Sequence, residues 1–216
     1  EIKQLTETTT NVAKHLPGKF NKKSESPSMV PFGAEAPYTL ITDEKLLIAW
    51  IEEASAKGML AVDTETNSLD SITADLVGIS LSMVSGRSAY IPLGHVTPDV
   101  QTNLDLSDPG LTLKKRDMVS KQISMKKAIK LLKPLLEDPA VLKIGHNIKY
   151  DIKVFFRYGI DVTPIDDTMI LSYVLEGAQH GHGMDELSKL HLGHQTIKFK
   201  DVAGTGKAQI TFDKVP

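Results

Sequence analysis

The chain has 216 residues, with 25 Lys and Arg against 27 Asp and Glu, a formal net charge of −2 and no cysteine. That balance supplies no global positive field to gather a polyanion, and it excludes disulfides and thiolate zinc sites, which fits a reducing, cytoplasmic setting. A hydrophobic fraction of 41% is ordinary for a folded domain, yet no apolar run approaches the roughly 20 residues of a membrane helix, so no membrane association is expected.

Residues 1–36 include "LPGKFNKKSESPSMVPFGAEAP". They are rich in Thr, Lys, Ser and Pro and carry too little apolar surface to offset their ordering entropy, so they read as a flexible linker. Residues 37–216 read as one domain. "YTLIT" predicts a short strand, and "TDEKLLIAWIEEASAKG" a helix with Thr42 as N-cap and Gly58 just past its end. Leu46, Leu47, Trp50 and Ile51 recur at helical spacing and give that helix an apolar face. "GMLAVDTET", "LVGISLSM" and "SAYIPLGH" predict three strands, and the turn-rich "NSLDSITAD" and "VSGRS" between them favour an antiparallel meander. Residues 98–122 are polar and patternless, an expected exposed excursion whose "LKKR" reads as a solvated charge run.

"SMKKAIKLLKPLLEDP" predicts an amphipathic helix with Ile129, Leu132, Leu135 and Leu136 inward and Pro134 bending or breaking it late. "VLKIGHN" predicts another strand. "IKYDIKVFFRYG", "IDDTMILSYVLEG" and "GMDELSKLHLG" predict three helices, each closed by a glycine, with Asp166 and Asp167 as caps of the second. Strands followed by strands mixed with helices imply an α/β fold around a mixed sheet.

Two places join an apolar strand to acids. "MLAVDTET" delivers Asp63 and Glu65, two apart and therefore on one face of a strand. "VLKIGHNIKYD" runs into Asn147, Tyr150 and Asp151, whose spacing places them on one face of a helix starting there. If the two strand ends converge, three carboxylates meet, and like charges raise one another's pKa unless cations intervene. An all-oxygen donor set suits Mg²⁺ or Mn²⁺, and a pair of such ions about 4 Å apart serves in-line attack on a phosphodiester. Either acid pair alone would read as a solvated turn.

"VDTETNSLD" and "GHNIKYD" resemble the first and second motifs of the 3′–5′ proofreading exonuclease domain of bacterial, family A, DNA polymerase I. The resemblance extends from about Tyr38 through "DDTMILSYVL" and "MDELS" to "TIKFKDVAGTGKAQITF". It implies a ribonuclease H-like fold, with Asp63, Glu65 and Asp151 as catalytic ligands of two divalent ions. It implies that Leu69 wedges against the terminal bases and that Phe199 stacks on the DNA end, roles that a buried anchor and a core aromatic would otherwise fill. Asn147 and Tyr150 match positions that contact the strand, and His146, grouped with them as substrate-binding, occupies a position where the family often has another polar residue. The implied partners are a single-stranded or frayed DNA 3′ end and a polymerase domain C-terminal to this segment. The family's third motif, a helix bearing a fourth acid and the tyrosine that orients the attacking water, lies beyond "QITFDK". The domain is therefore expected to be C-terminally incomplete and nearly inactive alone. Two rival readings are a non-catalytic exonuclease-fold module that binds single-stranded DNA or serves structurally, and a stand-alone RNase of the same superfamily. His180, His182, His191 and His194 invite a zinc reading, but as two loop-flanking pairs without cysteine partners they read as ordinary surface histidines.

Overall fold

The computed structural model describes residues 38–96 and 121–215. The linker expected over 1–36 and nearly all of the excursion expected over 98–122 lie outside them. Six strands form one sheet: β1 (Tyr38–Leu40), β2 (Met59–Thr66), β3 (Leu76–Val84), β4 (Arg87–Pro92), β5 (Leu142–Gly145) and β6 (Ile165–Asp167), in the spatial order β1-β4-β3-β2-β5-β6. β2, β3 and β4 make the antiparallel meander that their turn composition implies. β1 joins β4 in parallel, and β5 and β6 extend the other edge in parallel from β2. β6 corrects the reading of "IDD" as part of a helix. A three-residue strand with two aspartates offers no apolar alternation to detect, and pairing with β5 alone makes it a strand.

Alternation divides the faces of the sheet. Leu60, Val62, Ile79, Leu81 and Ile91 are buried in the core with residues of helices α1 (Glu44–Lys57), α2 (Met125–Leu136) and α3 (Lys149–Arg157). In α1, Leu47, Trp50 and Ala54 are buried, while Leu46 and Ile51 pack partly against the core. The N-cap of α1 is Asp43, not Thr42: its carboxylate accepts from Leu46 N at 3.0 Å, and a carboxylate also suits the positive end of the helix. Gly58 closes the helix at φ +66°, a left-handed conformation that suits glycine. α2 buries Ala128, Leu132, Leu135 and Leu136 and runs through Pro134 without breaking.

The remaining helices are α4 (Thr168–Glu176), α5 (Met184–Leu192) and the short α6 (Phe199–Ala203), followed by 3₁₀ turns at Gly206–Ala208 and Phe212–Lys214. α4 is apolar yet lies open: Ser172 is its buried residue, while Ile170, Leu171, Tyr173, Val174 and Leu175 are exposed. Among the described residues no helix is long and apolar enough to cross a membrane.

Candidate active site

Asp63 and Glu65 stand on the sheet face opposite the main core, beside Ser80 on β3. Thr64, between them, points the other way and is buried. It reaches across to the first turn of α3, where the buried Asp151 carboxylate accepts from Thr64 N at 2.9 Å and from Thr64 Oγ1 at 2.5 Å. One residue of β2 thus fixes an acid delivered 87 positions later in the chain.

The electrostatics follow from this crowding. Asp63 is pushed up to about 7, first by burial and then by the charges of Asp151 and Glu65. Burial followed by Asp151 raises Glu65. Asp151 is also raised by burial, with Asp167 adding to it and the Thr64 hydrogen bonds pulling against it. Among the described residues, the charges that chiefly act on these three carboxyls are those of Asp151, Glu65 and Asp167, all acidic. A set of clustered oxygens short of positive charge fits divalent cations.

Asn147 does not share a helical face with Asp151, as its spacing implied. α3 starts at Lys149, and Asn147 sits ahead of it with φ 58°, a left-handed conformation that asparagine tolerates. That turn lets Asn147 N and Ile148 N both donate to the Asp167 carboxylate, each at 3.0 Å. Asp167 also caps α4, accepting from Met169 N at 2.9 Å and Ile170 N at 3.4 Å, so one side chain seats the starts of two helices. The capping role of Asp167 was legible; the clamp on the second motif was not.

Tyr150 Oη lies 2.6 Å from Thr66 Oγ1 and donates to Ser68 O at 2.6 Å, which pins the turn that carries Leu69. Leu69 is 98% exposed and holds nothing in the fold. His146 turns Nδ1 to Thr168 Oγ1 at 2.9 Å, while its buried Nε2 has no hydrogen-bond partner among the described residues. Phe199, half exposed at the start of α6, stacks on Phe212 with ring centroids 6.5 Å apart. His146 and Asp63 line a largely apolar cleft of about 680 Å³ between the sheet and α4 and α5.

Tyr90 is a neighbour that the sequence did not single out. Its ring crosses Gly78, the residue paired with Glu65; a Cβ there would stand 1.9 Å from Tyr90 Oη, so only glycine fits. Burial and the Glu65 charge raise the Tyr90 phenol, which lies 2.7 Å from His95 Nε2. A glycine inside a strand opposite an acid was the available signal.

A mixed sheet with mutually interacting carboxyls on β2 and α3, one of them lining a cleft, has the donor groups that metal-assisted phosphodiester hydrolysis requires. The comparison with protein families is specific: a sequence model described as 3′–5′ exonuclease matches residues 38–215, and the chain belongs to that family. Its members generally use divalent metal ions. DNA polymerase I of Rhizobium leguminosarum is 44% identical over 202 residues, covering 89% of this chain and 19% of the relative. DNA polymerase I of Pseudomonas aeruginosa is 39% identical over 191 residues, 86% of this chain and 18% of the relative. The chain therefore spans about a fifth of the length of these relatives. Among solved structures, Escherichia coli RNase D superposes with a TM-score of 0.52 at 21% identity over 78% of this chain and 36% of that one. The EXO domain of Aedes aegypti Nibbler does so with a TM-score of 0.54 at 14% identity, over 79% and 75%. These two share the fold. The expected fold class and the resemblance to the exonuclease domain of DNA polymerase I are both borne out.

Proposed function

We propose that this domain removes nucleotides from the 3′ end of single-stranded or frayed DNA, as the proofreading segment of a cytoplasmic polymerase I-type protein whose polymerase domain follows it. The observation that carries the reading is the Thr64–Asp151 tie, which seats the third carboxyl against the strand that bears the other two. Asp63, Glu65 and Asp151 would hold two divalent ions, Mg²⁺ or Mn²⁺ by their all-oxygen donors. Such ions supply Lewis acidity at the scissile phosphate.

The remaining residues position the strand. Tyr150 holds the turn at Ser68 so that Leu69 projects as a wedge. Phe199, backed by Phe212, offers a flat face to a terminal base, a contact tolerant of sequence. His146 and Asn147 flank the strand's path beside α3. The exposed apolar side chains of α4 support a further reading, that another segment of a protein of the relatives' length packs there and completes the site.

The test is release of mononucleotides from a 3′-labelled single strand with Mg²⁺ or Mn²⁺. It is run on this chain, on a form extended to the relatives' length and on Asp63→Ala. Turnover that rises on extension and vanishes in Asp63→Ala is expected. Equal turnover of RNA would favour a stand-alone RNase, and binding without hydrolysis in both forms would favour a non-catalytic module.

A further inference from the structure

The fold brings two of the four histidines of residues 180–194 onto the carboxylate of Glu176, the last residue of α4. Glu176 Oε2 lies 3.0 Å from His180 Nε2 and 3.4 Å from His191 Nε2, and one ligand atom from each of the three residues falls within 4.8 Å of the others. Two donors bound at about 2.0–2.1 Å to a tetrahedral ion stand about 3.3–3.4 Å apart, so shifts of a few tenths of an ångström at Glu176 and a closer approach of the two rings would bring the three atoms onto one ion.

The surroundings fix the same atoms. His180 Nδ1 is 2.7 Å from Gly181 O; donating there, it turns Nε2, a buried atom, to face Glu176 Oε2 at 3.0 Å. Ser172 Oγ donates to Glu176 Oε2 at 3.0 Å and touches His182 Nδ1 at 2.7 Å. His182 Nε2 reaches Gly177 O at 2.7 Å, so His182 anchors the loop rather than joining the cluster. Nε2 of each ring thus faces one carboxylate oxygen, an arrangement that a proton on the ring or a shared metal ion can hold together.

We propose that Glu176, His180 and His191 form a second metal site, for Zn²⁺ or a similar transition ion, separate from the carboxylates on β2 and α3. Two imidazoles with one carboxylate suit such an ion better than Mg²⁺, and three protein ligands leave a fourth position for water. Glu176 and His191 line the apolar cleft, so an ion there would tie the end of α4, the loop after it and the last turn of α5 into one wall. Protonated imidazoles beside Glu176 would hold the same arrangement, and the experiment separates the two.

Co²⁺ is titrated into the full 216-residue chain with excess Mg²⁺ present, and visible absorption is read. One equivalent with the intense bands of a four-coordinate nitrogen–oxygen site is expected, displaced by Zn²⁺ and retained in Asp63→Ala. His180→Gln and His191→Gln should each weaken binding about tenfold or more while melting like the wild type without metal. The proposal is overturned if the wild type shows only weak six-coordinate bands, if those bands disappear in Asp63→Ala, or if both glutamine variants keep the spectrum. Because the wild type and Asp63→Ala decide the outcome by themselves, a misfolded glutamine variant does not rescue it.

Discussion

Replacing Asp63 by Asn should stabilise the metal-free protein. Asp63 is displaced from an ordinary 3.8 to about 7 because its ionised form is buried beside Asp151 and Glu65. That displacement corresponds to about 4 kcal/mol against the folded state once the group is ionised. Solvent at the partly open site screens some of it, so a gain of about 2–4 kcal/mol is expected from Asp63→Asn, or about 4–16 °C in melting temperature for a domain of this size. The sign follows from proton counts: between pH 3.8 and about 7 the folded state binds more protons than the unfolded, so wild-type stability falls as pH rises through that window. Below it both states are protonated and the variant should match the wild type; above it the difference should be full. The assay is thermal or urea melting of both proteins in chelator at about pH 3 and pH 8, on either side of that window. A variant that is less stable than wild type at pH 8, or changed equally at both pH values, would refute the crowding of three carboxyls.

Millimolar Mg²⁺ or Mn²⁺ should raise the wild-type melting temperature by preferential binding to the folded form, and Asp63→Asn should lose most of that rise in the same scan. Thr64→Val removes one of the two donors to Asp151 and should cost about 1–3 kcal/mol by urea melting, with nuclease turnover reduced. Leu69→Ala should leave the melting curve within about 0.5 kcal/mol of wild type, since the side chain is 98% exposed, while weakening single-stranded DNA binding measured by anisotropy. Phe199→Ala should weaken the same binding by about 1–3 kcal/mol without affecting metal binding. Lys143 is buried in β5 and donates to Asp138 O at 2.8 Å and to Thr163 O; Lys143→Met should cost about 1–3 kcal/mol by leaving both carbonyls unpaired.

What was legible in the sequence was periodic. A spacing of two placed Asp63 and Glu65 on one face of β2, and helical spacing marked the buried positions of α1 and α2. Glycines marked helix ends and turn composition marked the meander. Local patterns failed where a contact rather than a repeat decides the structure. β6 exists because β5 offers it an edge, and Asn147 leaves the helix because Asp167, twenty residues on, holds its amide. The lysine inside "VLKI" breaks the apolar run, yet it is satisfied by carbonyls from two loops that the strand itself cannot announce.

The same distinction separates the acids from what arranges them. Asp63, Glu65 and Asp151 stand out because acids at the ends of apolar strands are costly unless something offsets their charge, so composition alone draws attention to them. Thr64, Tyr90 and Gly78 are unremarkable in composition. Each acts across the sheet or from the sheet to α3: Thr64 on a carboxyl 87 residues away, Tyr90 against the strand that faces Glu65, and Gly78 by leaving room for that ring. Glu176, His180 and His191 follow the same logic. The histidines looked scattered in sequence, yet His180, four residues after Glu176, and His191, from the last turn of α5, both bring Nε2 within 3.4 Å of one carboxylate oxygen. The costly residues mark where chemistry is placed, and the inexpensive ones, chosen by register, determine its geometry.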